Sequence, residues 1–238
     1  MKASAPKNAA TVILFRSEAK GGFEVFMTRR PAGMNFLGGI YVFPGGCVRK
    51  EDYSKAMLRR CFGPSPEAAQ KSLGMRLSPE FSLGHWLAGI RELFEETGIL
   101  LCVTEGGEPL DMNDAGRRDR LAEKHAALMG GLIDFQAFLE SESLLCDARR
   151  LAYFSHWLTP EEVPTRFDTR FFLAQIPADQ SPLSTSREVT HSLWITPEHS
   201  LELSGEGKLP LIFPTLASLR ALADYDSLKT LLNEYRLG

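Results

Sequence analysis

The chain has 238 residues, 44% hydrophobic and 24% charged, a composition that excludes a disordered or collagen-like chain and suits one elaborated domain or two small ones. Its 27 Lys and Arg against 30 Asp and Glu give a formal net charge of −3, so no overall basic field draws it to nucleic acid or a membrane surface; any phosphate site must be local. No apolar run approaches the roughly 18 residues of a membrane span, the N-terminal MKASAPKNAA lacks the apolar stretch of a secretory signal, and Cys47, Cys61, Cys102 and Cys146 form no Cys-x-x-Cys pair, which implies reduced thiols in a cytoplasmic protein.

In chain order, Thr11 to Phe15 and Phe23 to Thr28 are β-branched and aromatic runs around a polar turn that ends in Gly22, and they predict a β-hairpin. Ile40 to Phe43 predicts a third strand that runs into Pro44-Gly45-Gly46, where two glycines permit a sharp turn. From Cys47 to Leu77 the sequence turns charged and irregular, which predicts an inserted segment at about 53–77 with helices at Tyr53 to Phe62 and Glu67 to Gly74. Ser78-Pro79-Glu80 is a helix start with a capping hydroxyl, proline in the first turn and an acid at the positive dipole end; Gly98 is the stop. Leu83, Leu87, Ile90 and Phe94 give that helix a buried face. Ile99 to Val103 predicts a strand, residues 105–147 a second insertion with helices at Arg117 to Met129 and Asp134 to Glu142, and Leu151 to Trp157, Thr169 to Ile176 and Glu188 to Ile195 three more strands. Residues 197–238 form a C-terminal extension with helices at Thr215 to Asp224 and Ser227 to Arg236.

The most informative stretch is Arg91-Glu92-Leu93-Phe94-Glu95-Glu96-Thr97-Gly98-Ile99. At about 100° per residue, Glu92, Glu95 and Glu96 share one face, and like charges at those spacings weaken a helix unless something compensates them. A bound Mg²⁺ or Mn²⁺ does so, since hard oxygen donors suit these ions and the ions in turn bind phosphates. The plainer reading is a solvated acidic face with Arg91 as its counter-charge. Leu93 and Ile99 weigh against it by anchoring the helix in a core, with Gly98 closing it.

This stretch resembles the Nudix hydrolase signature, Gly, five residues, Glu, seven residues, Arg-Glu-apolar-x-Glu-Glu-x-Gly-apolar, and every specified position of its second half is met from Arg91 to Ile99. In the first half the acidic position falls on Asp52 counted from Gly46, or on Glu51 counted from Gly45. Thirty-eight residues separate Asp52 from Arg91 where the uninterrupted pattern allows seven, so about 31 are inserted. A box split at this place looks like that of the coenzyme A diphosphatase group of the family.

The resemblance implies an α/β fold, the α/β/α sandwich with a mixed central sheet, elaborated by helical insertions and C-terminal helices. The whole of 1–238 is then expected as a single Nudix hydrolase domain with its core at about 9–196. It implies a pyrophosphohydrolase in which water, activated by Mg²⁺ or Mn²⁺, attacks phosphorus. Carried over by position, Glu95 and Glu96 are metal ligands, Glu92 is a ligand or orders a second ion and the water, Arg91 holds the glutamates, and Gly46 lets the turn approach and offers a carbonyl ligand. Glu188 is the nominated general base, against the plain alternative of a solvent-facing acid beside Arg187; His191 is left out of the site.

The coenzyme A group carries a further pattern, Leu-Leu-Thr-x-Arg-Ser, three residues, Arg, three residues, Gly, three residues, Phe-Pro-Gly-Gly. Thr28, Arg30, Gly39 and Phe43 to Gly46 match it, whereas Pro31 replaces Ser and Asn35 replaces the second Arg. Arg29, Arg30, Gly45 and Gly46 are thus the candidate substrate contacts, with an exposed arginine pair capping a strand as the alternative. The expected reaction cuts coenzyme A or acyl-coenzyme A into (acyl-)phosphopantetheine and adenosine 3′,5′-bisphosphate, and the two insertions are the parts available to build a channel for the mercaptoethylamine arm. The alternatives are an ADP-ribose or NADH diphosphatase and a non-catalytic nucleotide sensor; retention of all three box carboxylates speaks against the sensor. Members are often homodimers, but no segment of this sequence marks an interface.

Overall fold

β1 (Lys7–Ser17) is covered on both faces, with Ala10, Val12 and Leu14 turned to one layer and Ile13 and Phe15 to the other. That is why its middle reads as a continuous apolar run rather than an alternation. In this computed structural model, which describes residues 5–18, 21–34, 37–183 and 191–237, β1 is central to a seven-stranded mixed sheet. It pairs antiparallel with β2 (Phe23–Arg29) in the predicted hairpin, Phe15 opposite Val25, and parallel with β9 (Phe167–Gln175) along its length. β8 (Ala152–Leu158) extends the sheet beyond β9, and β10 (His191–Ile195) borders β2. Two short strands complete it: β3 (Tyr41–Val42) on β2, and β4 (Gly45–Cys47) on the first half of β1, where Gly46 lies opposite Ala10.

One face carries α3 (Pro79–Thr97), the helix with the glutamates. Its ends are those expected: the Ser78 hydroxyl accepts from the Phe81 N–H, and Gly98, at φ 72°, donates its N–H to the Phe94 carbonyl. Fifteen of its nineteen residues are buried, more than the single apolar stripe of a surface helix can supply. The insertions cover the rest. Met57 of α1 (Lys55–Leu58), Ala69 of α2 (Pro66–Leu73), Leu121 of α4 (Ala115–Met129) and Phe138 of α5 (Phe135–Ser141) enter the same core as Leu87 and Ile90.

Two local expectations are corrected. Tyr53 to Phe62 is not one helix but a 3-10 turn (Lys50–Tyr53), the single turn of α1, and β5 (Cys61–Phe62). The strand expected at Ile99 to Val103 shrinks to β6 (Cys102–Thr104), which joins β7 (Leu144–Asp147) and β5 in a separate three-stranded sheet. Ile99, Leu100 and Leu101 are buried as a strand would be, but the Gln180 side chain satisfies both the N–H (2.8 Å) and the carbonyl (3.0 Å) of Leu100, and the Asp147 N–H meets Leu101. Their backbone groups therefore need no ladder.

The C-terminal extension forms the second layer. α6 (Pro197–Gly205), which the sequence reading passed over despite its Thr196 cap and Pro197, leads to α7 (Phe213–Ala223) and α8 (Leu228–Tyr235). Leu219, Leu222 and Leu231 are fully buried against Ile13, Phe15 and Leu173. Helices on both faces of a mixed sheet make the expected α/β/α sandwich. Among the described residues no helix is long and apolar enough to cross a membrane.

His85 sits in the first half of α3, fully buried, with Nδ1 at 2.9 Å from the Phe81 carbonyl and Nε2 without a partner. Burial pushes its pKa down from 6.5 to about 4, against the opposing pull of the Phe81 carbonyl. The neutral ring therefore stabilises the fold fully above about pH 6.5, and that contribution is lost as pH falls toward 4. We expect urea unfolding to show a loss of about 3 kcal/mol between pH 7.5 and pH 4 that is absent in His85→Gln; equal pH slopes in the two proteins would contradict this.

Candidate active site

The site begins with a buried arginine. Arg91, on the sheet-proximal turn of α3, is 3% exposed, and an ion so far from water must have its donors satisfied. Asp52, 1% exposed at the end of the 3-10 turn, takes two of them in a bidentate pair, Nε to Oδ1 at 2.7 Å and Nη2 to Oδ2 at 2.9 Å. Nη2 also donates to the Cys47 carbonyl at 3.0 Å, and Nη1 to Glu92 Oε1 at 2.6 Å and Glu95 Oε2 at 3.2 Å. Burial opposes the charge on Arg91, but Asp52, Glu92 and Glu95 outweigh it and raise the guanidinium above its ordinary range. Of the two positions counted from the glycines, Asp52 is thus the one joined to Arg91, while Glu51 is exposed.

The three glutamates are not a solvated face. Glu92 and Glu96 are buried, and burial pushes the Glu92 carboxyl up, with Arg91 opposing. Arg49 closes the open side: its guanidinium donates to both oxygens of Glu95 at 3.2 Å and stands 3.5 Å from Glu92 Oε1. Its backbone N–H also caps Asp52 at 2.7 Å. Glu96 turns to the glycine turn, where its Oε2 accepts the Gly45 N–H at 3.2 Å.

Both glycines of the turn stand where a side chain would collide with a neighbour. A Cβ on Gly45 would lie 2.4 Å from the Ala10 carbonyl oxygen, at a φ of 155°, and one on Gly46 would lie 2.6 Å from the Glu92 carboxyl carbon. β4 thus slides between β1 and the glutamate face of α3; Gly45 has no room against the backbone of β1, and a side chain at Gly46 would have to displace the Glu92 carboxyl. At the other end of the turn of glutamates, His125 of α4 reaches the Phe94 and Glu95 carbonyls with Nε2, at 3.0 and 3.1 Å.

Arg29 closes β2 opposite Tyr41 of β3, the strand that leads into the glycine turn, and Arg30 follows it with its N–H on the Ile40 carbonyl at 3.1 Å. Arg29 donates to the Gly39 carbonyl at 3.1 Å and lies over the Tyr41 ring; Arg30 Nε is buried without a partner. Neither belongs to the network of Asp52, Arg91, Arg49, Glu92 and Glu95. Glu188 and Asn35 lie outside the described residues. His191 makes a 3.3 Å contact from Nδ1 to the Tyr41 hydroxyl.

For a cation, the donor chemistry fits. Among the described residues no three His, Cys, Asp or Glu side chains are gathered closely enough to hold a metal ion, yet Glu92 and Glu95 share an exposed guanidinium, which stands in for a cation between two carboxylates. Oxygen-only donors of this kind suit a hard divalent ion.

The profile of the NUDT19 Nudix domain matches residues 6–222. The chain belongs to the Nudix hydrolase family. This Nudix chain is 27% identical over 207 residues to acyl-coenzyme A diphosphatase NUDT19 of Xenopus laevis, covering 76% of the chain and 54% of that protein. With the protein of the same name from Homo sapiens it shares 26% identity over 255 residues, 91% of the chain and 64% of that protein. It therefore spans between about half and two thirds of the length of these relatives. A Nudix hydrolase crystal structure from Alicyclobacillus acidocaldarius superposes with a TM-score of 0.75 at 27% identity, covering 99% of each chain.

Arg49 and His125 are the residues that sequence reasoning missed. Neither is specified by the Nudix pattern, and both reach the site from segments whose paths are set only by folding. Removing Asp52 leaves Arg91 buried without its main partner, so we expect Asp52→Ala to cost about 3–5 kcal/mol in urea unfolding. A loss below about 1 kcal/mol would show that Glu92 and Glu95 alone hold Arg91.

Proposed function

We propose that the chain is a divalent-metal-dependent Nudix diphosphatase acting on coenzyme A or acyl-coenzyme A, releasing (acyl-)phosphopantetheine and adenosine 3′,5′-bisphosphate. The observation that carries this reading is the buried Asp52–Arg91 pair, which presents three glutamates to a glycine turn across an interrupted box. The substrate class is supported by the acyl-coenzyme A diphosphatases among its relatives and by Thr28, Arg30, Gly39 and Phe43 to Gly46 of the upstream pattern.

In this reading Glu95 and Glu96 hold the cation, with Glu92 and the Gly46 carbonyl beside them. When bound, Mg²⁺ or Mn²⁺ neutralises phosphate charge and lowers the pKa of water at phosphorus. Arg91 fixes the rotamers of Glu92 and Glu95, so that the carboxylates are preorganised rather than collected on binding. Arg49, half-exposed and paired among the described residues with those two carboxylates, would be free to donate to a phosphate oxygen if a cation took over the carboxylates. Arg29 and Arg30 contact the anionic nucleotide end, and Glu188 is the candidate base.

A substrate panel with Mg²⁺ and with Mn²⁺, products identified by mass, tests the assignment. We expect phosphopantetheine and adenosine 3′,5′-bisphosphate from coenzyme A, and a fall of about a hundredfold or more in Glu95→Gln and Glu96→Gln. Cleavage of ADP-ribose or NADH with coenzyme A untouched would replace the substrate class, while full activity in either variant would remove the metal site. Gly46→Ala forces its Cβ into the Glu92 carboxyl, so activity should fall at least tenfold with Arg91 still folded in place; wild-type rates would mean that Glu92 has room to retreat.

A further inference from the structure

A second charged site lies at the far end of the sheet, where the reaction proposed above has no use for it. Arg149 and Arg150, in the 3-10 turn after β7, and Arg236, at the end of α8, converge with Asp147, Gln175 and Leu237 on a pocket of about 430 Å³. Among the described residues its one carboxylate is already taken: Asp147 accepts from Arg149 Nε at 2.8 Å and Nη2 at 3.0 Å. Among the described residues neither Arg150 nor Arg236 has an ion-pair partner, so two positive charges face one concavity uncompensated.

Arg149 is also held in place from above. Its guanidinium stacks over Phe62 at 4.2 Å, and Asp147 raises its pKa by hydrogen bonding. A fixed guanidinium beside two unpaired ones is a recognition geometry for a dianion, since guanidinium forks match phosphate oxygens and a cleft focuses the field of one sign. The pocket is separate from the glutamates. Gln175 lies opposite Phe15 and Gly46 opposite Ala10, five residues apart on β1 or roughly 17 Å along the strand.

We propose that this pocket binds the phosphate group of a ligand other than the pyrophosphate under attack. The ligand bridges segments distant in sequence, the β7 turn and the C-terminal end of α8, and so ties the second helical layer to the sheet.

Titration calorimetry of the full chain with inorganic phosphate, at ionic strength fixed by chloride, tests this. We expect one saturable site whose affinity falls at least tenfold in Arg150→Gln/Arg236→Gln and is unchanged in Glu95→Gln/Glu96→Gln. Phosphate binding that survives the arginine variant, or that is lost with the glutamates instead, would overturn the proposal, as would heats matched by chloride alone. Arg236→Gln, at an exposed position, serves if the double variant does not fold. Adenosine 3′,5′-bisphosphate added to the Glu95→Gln/Glu96→Gln protein separates the sources: tighter, arginine-dependent binding assigns a nucleotide-borne phosphate, and weaker binding assigns the free ion.

Discussion

The rest of the site depends on the cost of burying Arg91. Taking a guanidinium out of water is unfavourable by several kcal/mol even after relaxation, and the fold tolerates it only because Asp52, the Cys47 carbonyl, Glu92 and Glu95 complete its shell. That requirement fixes the 3-10 turn against α3 although 38 residues intervene. Lengthening the connection from 7 to 38 residues costs only about 1.5 kcal/mol of closure entropy, less than breaking the pair would. An interrupted box is therefore cheap to keep closed, and the inserted residues are free to take another task, which is to cover the outer side of α3 with Met57 and Ala69.

The glutamates stand where a helix least favours them. All three lie in the last two turns of α3, near the partial negative charge of its C-terminus, and they repel one another as well. Each compensation comes from a different element: Arg91 from the helix itself, Arg49 from the loop after β4, the Gly45 N–H from the turn, and His125 from α4 on the terminal carbonyls. The concentrated negative charge is thus assembled by tertiary structure against local preference. This is where local and global consistency is expected to fail, because a functional site concentrates charge that propensity would disperse.

What could be read from the chain alone follows the same division. The hairpin, α3 with both its ends, the box from Arg91 to Ile99 and helices α7 and α8 each carry a local signal, whether alternation, a cap or a 3.6-residue stripe. β5 is two residues long and pairs in parallel with a strand more than eighty residues away, so nothing local announces it. Ile99 to Leu101 have strand-like composition but a side-chain amide in place of a ladder, and composition does not distinguish the two. Asp52 and Glu51 were equivalent by counting; only burial beside Arg91 separates them.

The near-neutral net charge conceals a polar arrangement along one strand. β1 lies with its first half under Gly45, Gly46 and the glutamates and its last residues beside β9 at Gln175, in the arginine pocket. A formal charge of −3 says nothing of how charge is placed locally, and a long-range field falls off within about a Debye length of 8 Å at physiological salt. At a separation of roughly 17 Å along the strand, exposed charges at the two places would cancel each other's field only weakly. In the proposed reading the sheet is more than a scaffold for α3: its length sets the distance between the glutamates beside Gly46 and the arginines beside Gln175.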